Sequence, residues 1–374
     1  MLEPVVNFLI RIFRAIGRGI AWPFRWLWHC YLRANWIVQA VVGVCVVGFV
    51  ALYGYFVWTT QVWTNFNPDY ADAYGFEKRN VSAGEQVGDA SSTSTTTDTA
   101  AAAKSCGRSA IADVAADLTD FNVNQNAWIS SMLLYKLGFF GLSWDDTPFL
   151  DNKASFQRGI NQAVRRTTTE LADNLGRLRG TSQVDSDLQS ARGNMQFDEY
   201  TWYFGLRPFG PKTPTPSYYR AAIKSLRTFN TRLEKCGAVF DARADNLIQF
   251  IDRIANDIGG TSAILKDRAE NNSNGWLDPR ADDRFWFAYG QLYGYYGLLK
   301  ATHADFEDVL RTRNLDSLWK QMEEQTRSAL NIQPFIISNG AEAGWIMPSH
   351  LITMGFYILR VRSNLVEISN SLSR

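Results

Sequence analysis

The chain has 374 residues, more than one average domain needs, and its 38 basic and 37 acidic side chains leave a formal charge of +1. Residues 1–35 hold Arg11, Arg14, Arg18, Arg25 and Arg33 against one acid, Glu3, which leaves 33 basic and 36 acidic side chains in the remainder. A faintly acidic body offers no clustered Lys and Arg face, so a nucleic-acid partner is not expected.

In chain order, the first element is an amphipathic helix. Val5, Phe8, Leu9, Ile12, Ile16 and Ile20 recur at helical spacing, and Arg11, Arg14, Arg18 and Arg25 fill the opposite stripe with Asn7. A basic helix of this kind suits the surface of an anionic bilayer, and Trp22, Trp26 and Trp28 extend the pattern past Pro23. Docking on a partner's helix is the alternative use of the same face. Residues 36–58 then run without a charged side chain, close to the roughly 20 apolar residues that cross about 30 Å of hydrocarbon. Trp36 marks one end, and Tyr53, Tyr55 and Trp58 the other, as interfacial aromatics do; Trp63 follows shortly after. A long preceding stretch and the lack of a small-x-small site favour an uncleaved signal-anchor over a cleaved peptide. The arginines precede the span, whereas Asp69, Asp72 and Glu77 outnumber Lys78 and Arg79 after it. The positive-inside rule therefore places the N-terminus in the cytoplasm and the bulk of the chain outside.

Residues 59–105 are expected to be a tether, Ser/Thr-rich and too poor in apolar surface over 81–105 to order itself. The folded domain is expected over 106–374. Residues 108–137 and 153–180 carry helical periodicity, with Ile111, Val114, Leu118, Phe121 and Trp128 on one side of the first. Residues 207–217 are a proline-rich connector, after which Thr215 as N-cap and Pro216 in the first turn announce a helix. Leu226, Phe229, Leu233, Cys236 and Phe240, then Leu247, Ile251, Ile254 and Ile258, form a heptad seam with a stutter at Ala244. Unbroken from Ser217 to about Glu270, such a helix would be about 80 Å long, with Gly237 as the place for a kink. The seam serves either the interior of a bundle or contact with another chain.

Residues 282–311 combine Phe285, Trp286, Phe287, Tyr289, Tyr293, Tyr295 and Tyr296 with Gly290, Gly294 and Gly297. Glycines at this spacing admit a second backbone, and the rings fill the flanks, in a packed core or as a ligand-facing wall. Phe335–Ile337 suggest a short strand and Asn339–Gly340 a turn, and Ser349 caps a last helix.

The segments IFRAIGRGIAWPFRWLW, FDARADNL (240–247) and the C-terminal PSHLITMGFYILRVRSNLVEI resemble a family of Gram-negative inner-membrane proteins, domain of unknown function 2333. The resemblance runs along most of the chain, apart from the Ser/Thr tether. It implies an inner-membrane anchor and a periplasmic helical domain, and it supplies no catalytic residue, substrate or cofactor. The fold class is therefore read as all-α: an amphipathic segment at 1–35, a transmembrane helix at 36–58, and a periplasmic bundle of long antiparallel helices.

Chemistry-bearing residues are few. Cys30 and Cys45 lie at the cytoplasmic face and in the bilayer, so Cys106 and Cys236 are the pair exposed to an oxidising compartment and are expected to bond. His303 lacks metal-ligand spacing to Asp305 and Glu307 and reads as part of a solvated face. His350 beside Ser349 reads as part of a cap, because adjacent helical residues point apart. Gly340-x-x-x-Gly344 lacks the lysine of a phosphate loop. The acid pairs Asp145–Asp146, Asp282–Asp283 and Glu323–Glu324 read as surface and cap features. No catalytic, metal or cofactor-binding residue is assigned. The expected function is a non-catalytic scaffold or accessory subunit that works with other envelope proteins. The alternatives are a binding or transport-accessory module for a lipid, peptidoglycan fragment or small molecule, and an envelope enzyme.

Overall fold

The computed structural model describes residues 18, 22–23, 25–26, 28–76, 83–85, 106–139, 141–147, 149–177, 183–272, 278–341 and 347–374. It forms two compact units, 1–58 and 59–374. Arg11, Arg14 and the apolar stripe from Val5 to Ile20 lie outside the described residues, as does most of the Ser/Thr tract; Arg18 and Arg25 are exposed.

The first unit is dominated by α1 (Trp36–Gln61). Gln39 donates to the Tyr31 and Leu32 carbonyls and so ties α1 to the preceding helical turn. Among the described residues, α1 is the helix long and apolar enough to cross a membrane, and its side chains are almost wholly unburied. A soluble core helix would be covered.

Among the described residues the second unit is all-α apart from two short antiparallel strand pairs, β1 (Gly84–Glu85) with β2 (Cys106–Gly107) and β3 (Phe204–Leu206) with β4 (Phe209–Pro211). Its helices are α2 (Ala110–Asp120), α3 (Leu133–Leu137), α4 (Asn152–Glu170), α5 (Ser186–Met195), α6 (Thr215–Glu234), α7 (Ala244–Asn271), α8 (Ala281–Asp305), α9 (Glu307–Thr312), α10 (Asp316–Leu330) and α11 (His350–Leu372). α8 is the central rod, covered by α4, α2, α10, α7 and α11, while α7 pairs with α11 and α6 with α5 and α2. Its glycines make this closeness feasible. A Cβ on Gly290 would stand 2.1 Å from the Phe156 carbonyl oxygen, and one on Gly159 would stand 2.1 Å from that of Phe287. The backbones of α4 and α8 therefore touch where the rings of Phe156, Tyr289 and Tyr293 pack. The aromatic load of α8 is core, with Phe285, Tyr289, Tyr293, Tyr295 and Tyr296 buried. Three buried polar side chains in the middle of that rod are paired: Tyr289 donates to the Leu330 carbonyl, and Gln291 and Tyr295 donate to Asp257 of α7.

Several expectations change. The domain begins at Thr59, not near Cys106. Trp63, Phe66 and Tyr70 pack on the core, Trp63 stacks on Phe156 at 4.9 Å, and the Tyr70 hydroxyl donates to the Tyr293 carbonyl. Trp63 is therefore a core side chain rather than an interfacial anchor. The helices expected over 108–137 and 153–180 end earlier, in π turns at Phe121–Gln125 and Leu171–Leu175. In the first, the Phe121 carbonyl accepts from both the backbone amide and the side chain of Asn126, and that side chain also bonds the Thr64 backbone, where the chain leaves the helix. The helix expected over 282–311 is α8 followed by α9. Residues 335–336 form a bend rather than a strand, although Asn339 bridges Ser349. The connector at 207–217 starts as a hairpin, β3 (Phe204–Leu206) with β4 (Phe209–Pro211), through a cis Arg207–Pro208 bond. Thr215 is the first helical residue rather than the cap, and its hydroxyl donates to the Asp198 carbonyl.

The long seam helix is two helices. α6 stops at Glu234, Cys236 adopts a left-handed backbone (φ 57°), and α7 starts afresh at Ala244. The start of α2 shows how tightly the unit is tied. Asp305, buried at the end of α8, accepts hydrogen bonds from the Ala110 and Ile111 amides and from the Ser109 hydroxyl. Ser109 in turn accepts from Ala112 as N-cap. Asp305→Ala leaves three buried donors without that acceptor and is expected to lower unfolding stability by roughly 3 kcal/mol in a urea titration; Glu324→Gln, on an exposed face, is the control.

Candidate functional site

Cys106 and Cys236 are bonded, with their Cα atoms 5.5 Å apart. The bond joins the short strand 106–107, paired with residues 84–85, to the turn after α6 rather than to the middle of a long helix. Of the expected seam, Cys236, in the turn after α6, is exposed, and Leu226, Phe229, Leu233, Phe240, Leu247, Ile251, Ile254 and Ile258 are buried in the core of the second unit. They are spent on intramolecular packing, and the apolar surface that stays exposed lies elsewhere.

The histidines are local structure. His303 is half-buried against Trp319, with Asp316 at 3.2 Å and Glu323 at 3.4 Å, so the solvated face expected for it becomes a polar bridge from α8 to α10. Burial pulls its pKa down, and the two carboxylates, Glu323 foremost, more than reverse this and leave it above the usual value. Ser349 accepts from the Ile352 amide as the cap of α11. His350 Nδ1 accepts the Ser338 amide, and the Ser338 hydroxyl donates to the Pro348 carbonyl, so that serine is already engaged. Gly344 lies outside the described residues.

Asp146 and Glu324 are exposed, as expected of surface acids, and the pair Asp282–Asp283 is not. Asp145 sits in the turn Trp144–Asp146, Asp151 stands immediately before α4, and Asp282 and Asp283 lie in the first turn of α8. Carboxylate oxygens of Asp145, Asp151 and Asp283 all fall within 4.8 Å of one another. Asp282, expected as a surface or cap feature, is buried, as is Asp151, and neither oxygen of either has a hydrogen-bond partner. Asp145 accepts from the Tyr135 hydroxyl at 2.5 Å, and Asp283 from the Ser155 hydroxyl at 2.5 Å, with the Arg158 guanidinium 3.7 Å away. Burial, then Asp283 and Asp282, pushes the Asp151 carboxyl far above its usual range; burial and Asp283 push Asp282 up to about 7. Asp283 is also raised, chiefly by burial, against the pull of Ser155 and Arg158. A cavity of about 280 Å³ opens beside the cluster, lined by Asp145, Asp283, Ser155, Arg158, Glu199 and Arg280 among others. The group can hold protons or a hard cation.

Neither Asp151 nor its neighbours Tyr135, Ser155 and Arg158 stand out in the sequence. A single Asp before a helix is the commonest of caps, and nothing in the spacing links it to acids about 130 residues on.

No curated protein and no solved structure matches the chain. The family model described as an uncharacterized protein conserved in bacteria, DUF2333, matches residues 90–274 and 266–374, most of the chain. On that match the chain belongs to the DUF2333 family.

Proposed function

We propose that this is a single-pass inner-membrane protein, N-terminus in the cytoplasm, whose helical domain stands in the periplasm as a non-catalytic scaffold or accessory subunit of a cell-envelope complex. Arginines before α1, acids after it and a cystine in the domain support the placement. The observation that carries the function is the β3–β4 hairpin. Leu206 and Phe209 are 80% and 79% exposed at its tip, flanked by exposed Tyr203 and Phe204. A packed domain with a buried seam and a two-stranded ribbon of outward apolar side chains has the form of a docking element. The binding-module alternative loses most of its aromatic wall, because Phe285, Tyr289, Tyr293, Tyr295 and Tyr296 of α8 are core.

The test is purification of the full chain in mild detergent, with a photo-crosslinker at Leu206 and, separately, on exposed Lys224. A stoichiometric envelope protein crosslinked from Leu206 but not from Lys224, and lost with the Leu206→Asp/Phe209→Asp variant, is the expected result. Because both side chains are exposed, that variant should unfold within about 0.5 kcal/mol of the parent. Recovery of the chain alone with a small molecule bound would overturn the reading.

A further inference from the structure

We propose that Asp145, Asp151 and Asp283 bind a hard divalent cation of calcium's size, bracing the first turns of α4 and α8 to the loop that carries Asp145.

The starting point is Asp151. An Asp immediately before a helix ordinarily turns its carboxylate onto the amides of the first turn. Asp151 does not: it makes no cap hydrogen bond, is 0% exposed, and has two oxygens without a partner. A buried acceptor left in this state costs several kcal/mol unless a proton or cation satisfies it. Its oxygens instead lie with those of Asp145 and Asp283.

Charge supports the same conclusion. Asp145, Asp151, Asp282 and Asp283 bring four carboxyl groups together, and Asp283 feels Arg158 and Arg284 as its cationic neighbours. Arg158 is committed to the Tyr200 and Ser155 hydroxyls, and Arg280 pairs outward with Asp146. Even with about half a positive charge at the N-terminus of each of α4 and α8, four ionised carboxylates would carry about one negative charge more than these partners offset, so the cluster must take up either protons or a cation.

The neighbouring donors fit a ligand set. Tyr135 and Ser155 each hold one oxygen of their carboxylate, Asp145 Oδ1 and Asp283 Oδ1, and so orient the second oxygen, as outer-shell partners of metal ligands do. An all-oxygen set of carboxylates selects calcium, magnesium or manganese over softer metals. Oxygens up to 4.8 Å apart can share an ion at calcium's bond length of about 2.3–2.6 Å, whereas magnesium at about 2.0–2.1 Å demands a tighter octahedron. The adjoining cavity admits the waters that complete the shell.

The full chain in detergent micelles, stripped with a chelator, is titrated with terbium, a calcium-sized oxygen-seeking ion that Tyr135 and Trp144 are placed to sensitise. Saturable emission displaced by calcium is expected, and calcium should raise the thermal midpoint of the stripped protein by several degrees. Asp151→Asn should weaken terbium binding at least tenfold and abolish the calcium shift. In chelator the same variant should be at least as stable as the parent, because a carboxylate repelled by its neighbours has gone. Glu324→Gln should retain every response. Absence of saturable emission together with an unchanged midpoint would overturn the proposal and leave a proton-sharing cluster. A response to magnesium without one to calcium would overturn the size assignment.

Discussion

Serine at both Cys106 and Cys236 is expected to lower the stability of the helical domain by about 2–5 kcal/mol. The two residues are 130 positions apart, and the entropy removed from an unfolded chain by closing a loop that long corresponds to about 5 kcal/mol before any native-state relaxation. The closed loop contains α2 to α6, and its ends are a two-residue strand and a left-handed turn at the margin of the bundle. Local opening should therefore start there once the bond is lost. Chemical denaturation of parent and variant with unchanged m-value checks the magnitude. Alkylation of protein taken directly from cells checks the compartment. Thiols at both positions blocked against alkylation until a reductant is added is the expected pattern; two freely reactive thiols would remove the cystine as support for a non-cytoplasmic domain.

Much of the architecture can be read from the residues, for reasons that are local. A long uncharged run has one economical use, Ser349 sits one position before an apolar-faced helix, and the Gly290, Gly294, Gly297 ladder announces a close crossing. The rest is set by tertiary contacts. The seam from Leu226 to Ile258 reads as continuous because α6 and α7 both bury a face with helical spacing, and the stutter at Ala244 is where a second helix begins. Nothing in the identity of Cys236 signals its positive φ. Residues 59–76 read as the start of a tether because their apolar content is modest; three aromatic side chains, Trp63, Phe66 and Tyr70, suffice to fasten the segment to α8. The acidic cluster is illegible for the same reason. Asp145, Asp151 and Asp283 meet only because α4 and α8 cross closely, and each alone is an ordinary polar residue at a turn or a helix start.

That crossing carries the second large effect. Gly290→Ala is expected to cost about 2–4 kcal/mol, although alanine is the better helix former by up to about 1 kcal/mol. The new methyl would lie 2.1 Å from the Phe156 carbonyl oxygen, a backbone atom with no rotamer to escape into, so α4 and α8 must separate by about 1 Å along a ring-filled interface. Gly159→Ala meets the Phe287 carbonyl at the same distance from the other side and should cost a similar amount. Both variants impose the same separation, so the double variant should lose less than the sum of the singles. Gly193 supplies the opposite sign: it sits in α5, exposed, and a methyl added there would have nothing within 4 Å. Gly193→Ala should therefore stabilise the protein by roughly 0.5–1 kcal/mol. Thermal or urea unfolding of the four variants separates steric contact from helix propensity. Equal stabilisation at all three glycines would mean that the helices do not meet backbone to backbone, and the shared placement of Asp151 and Asp283 would lose its foundation with them.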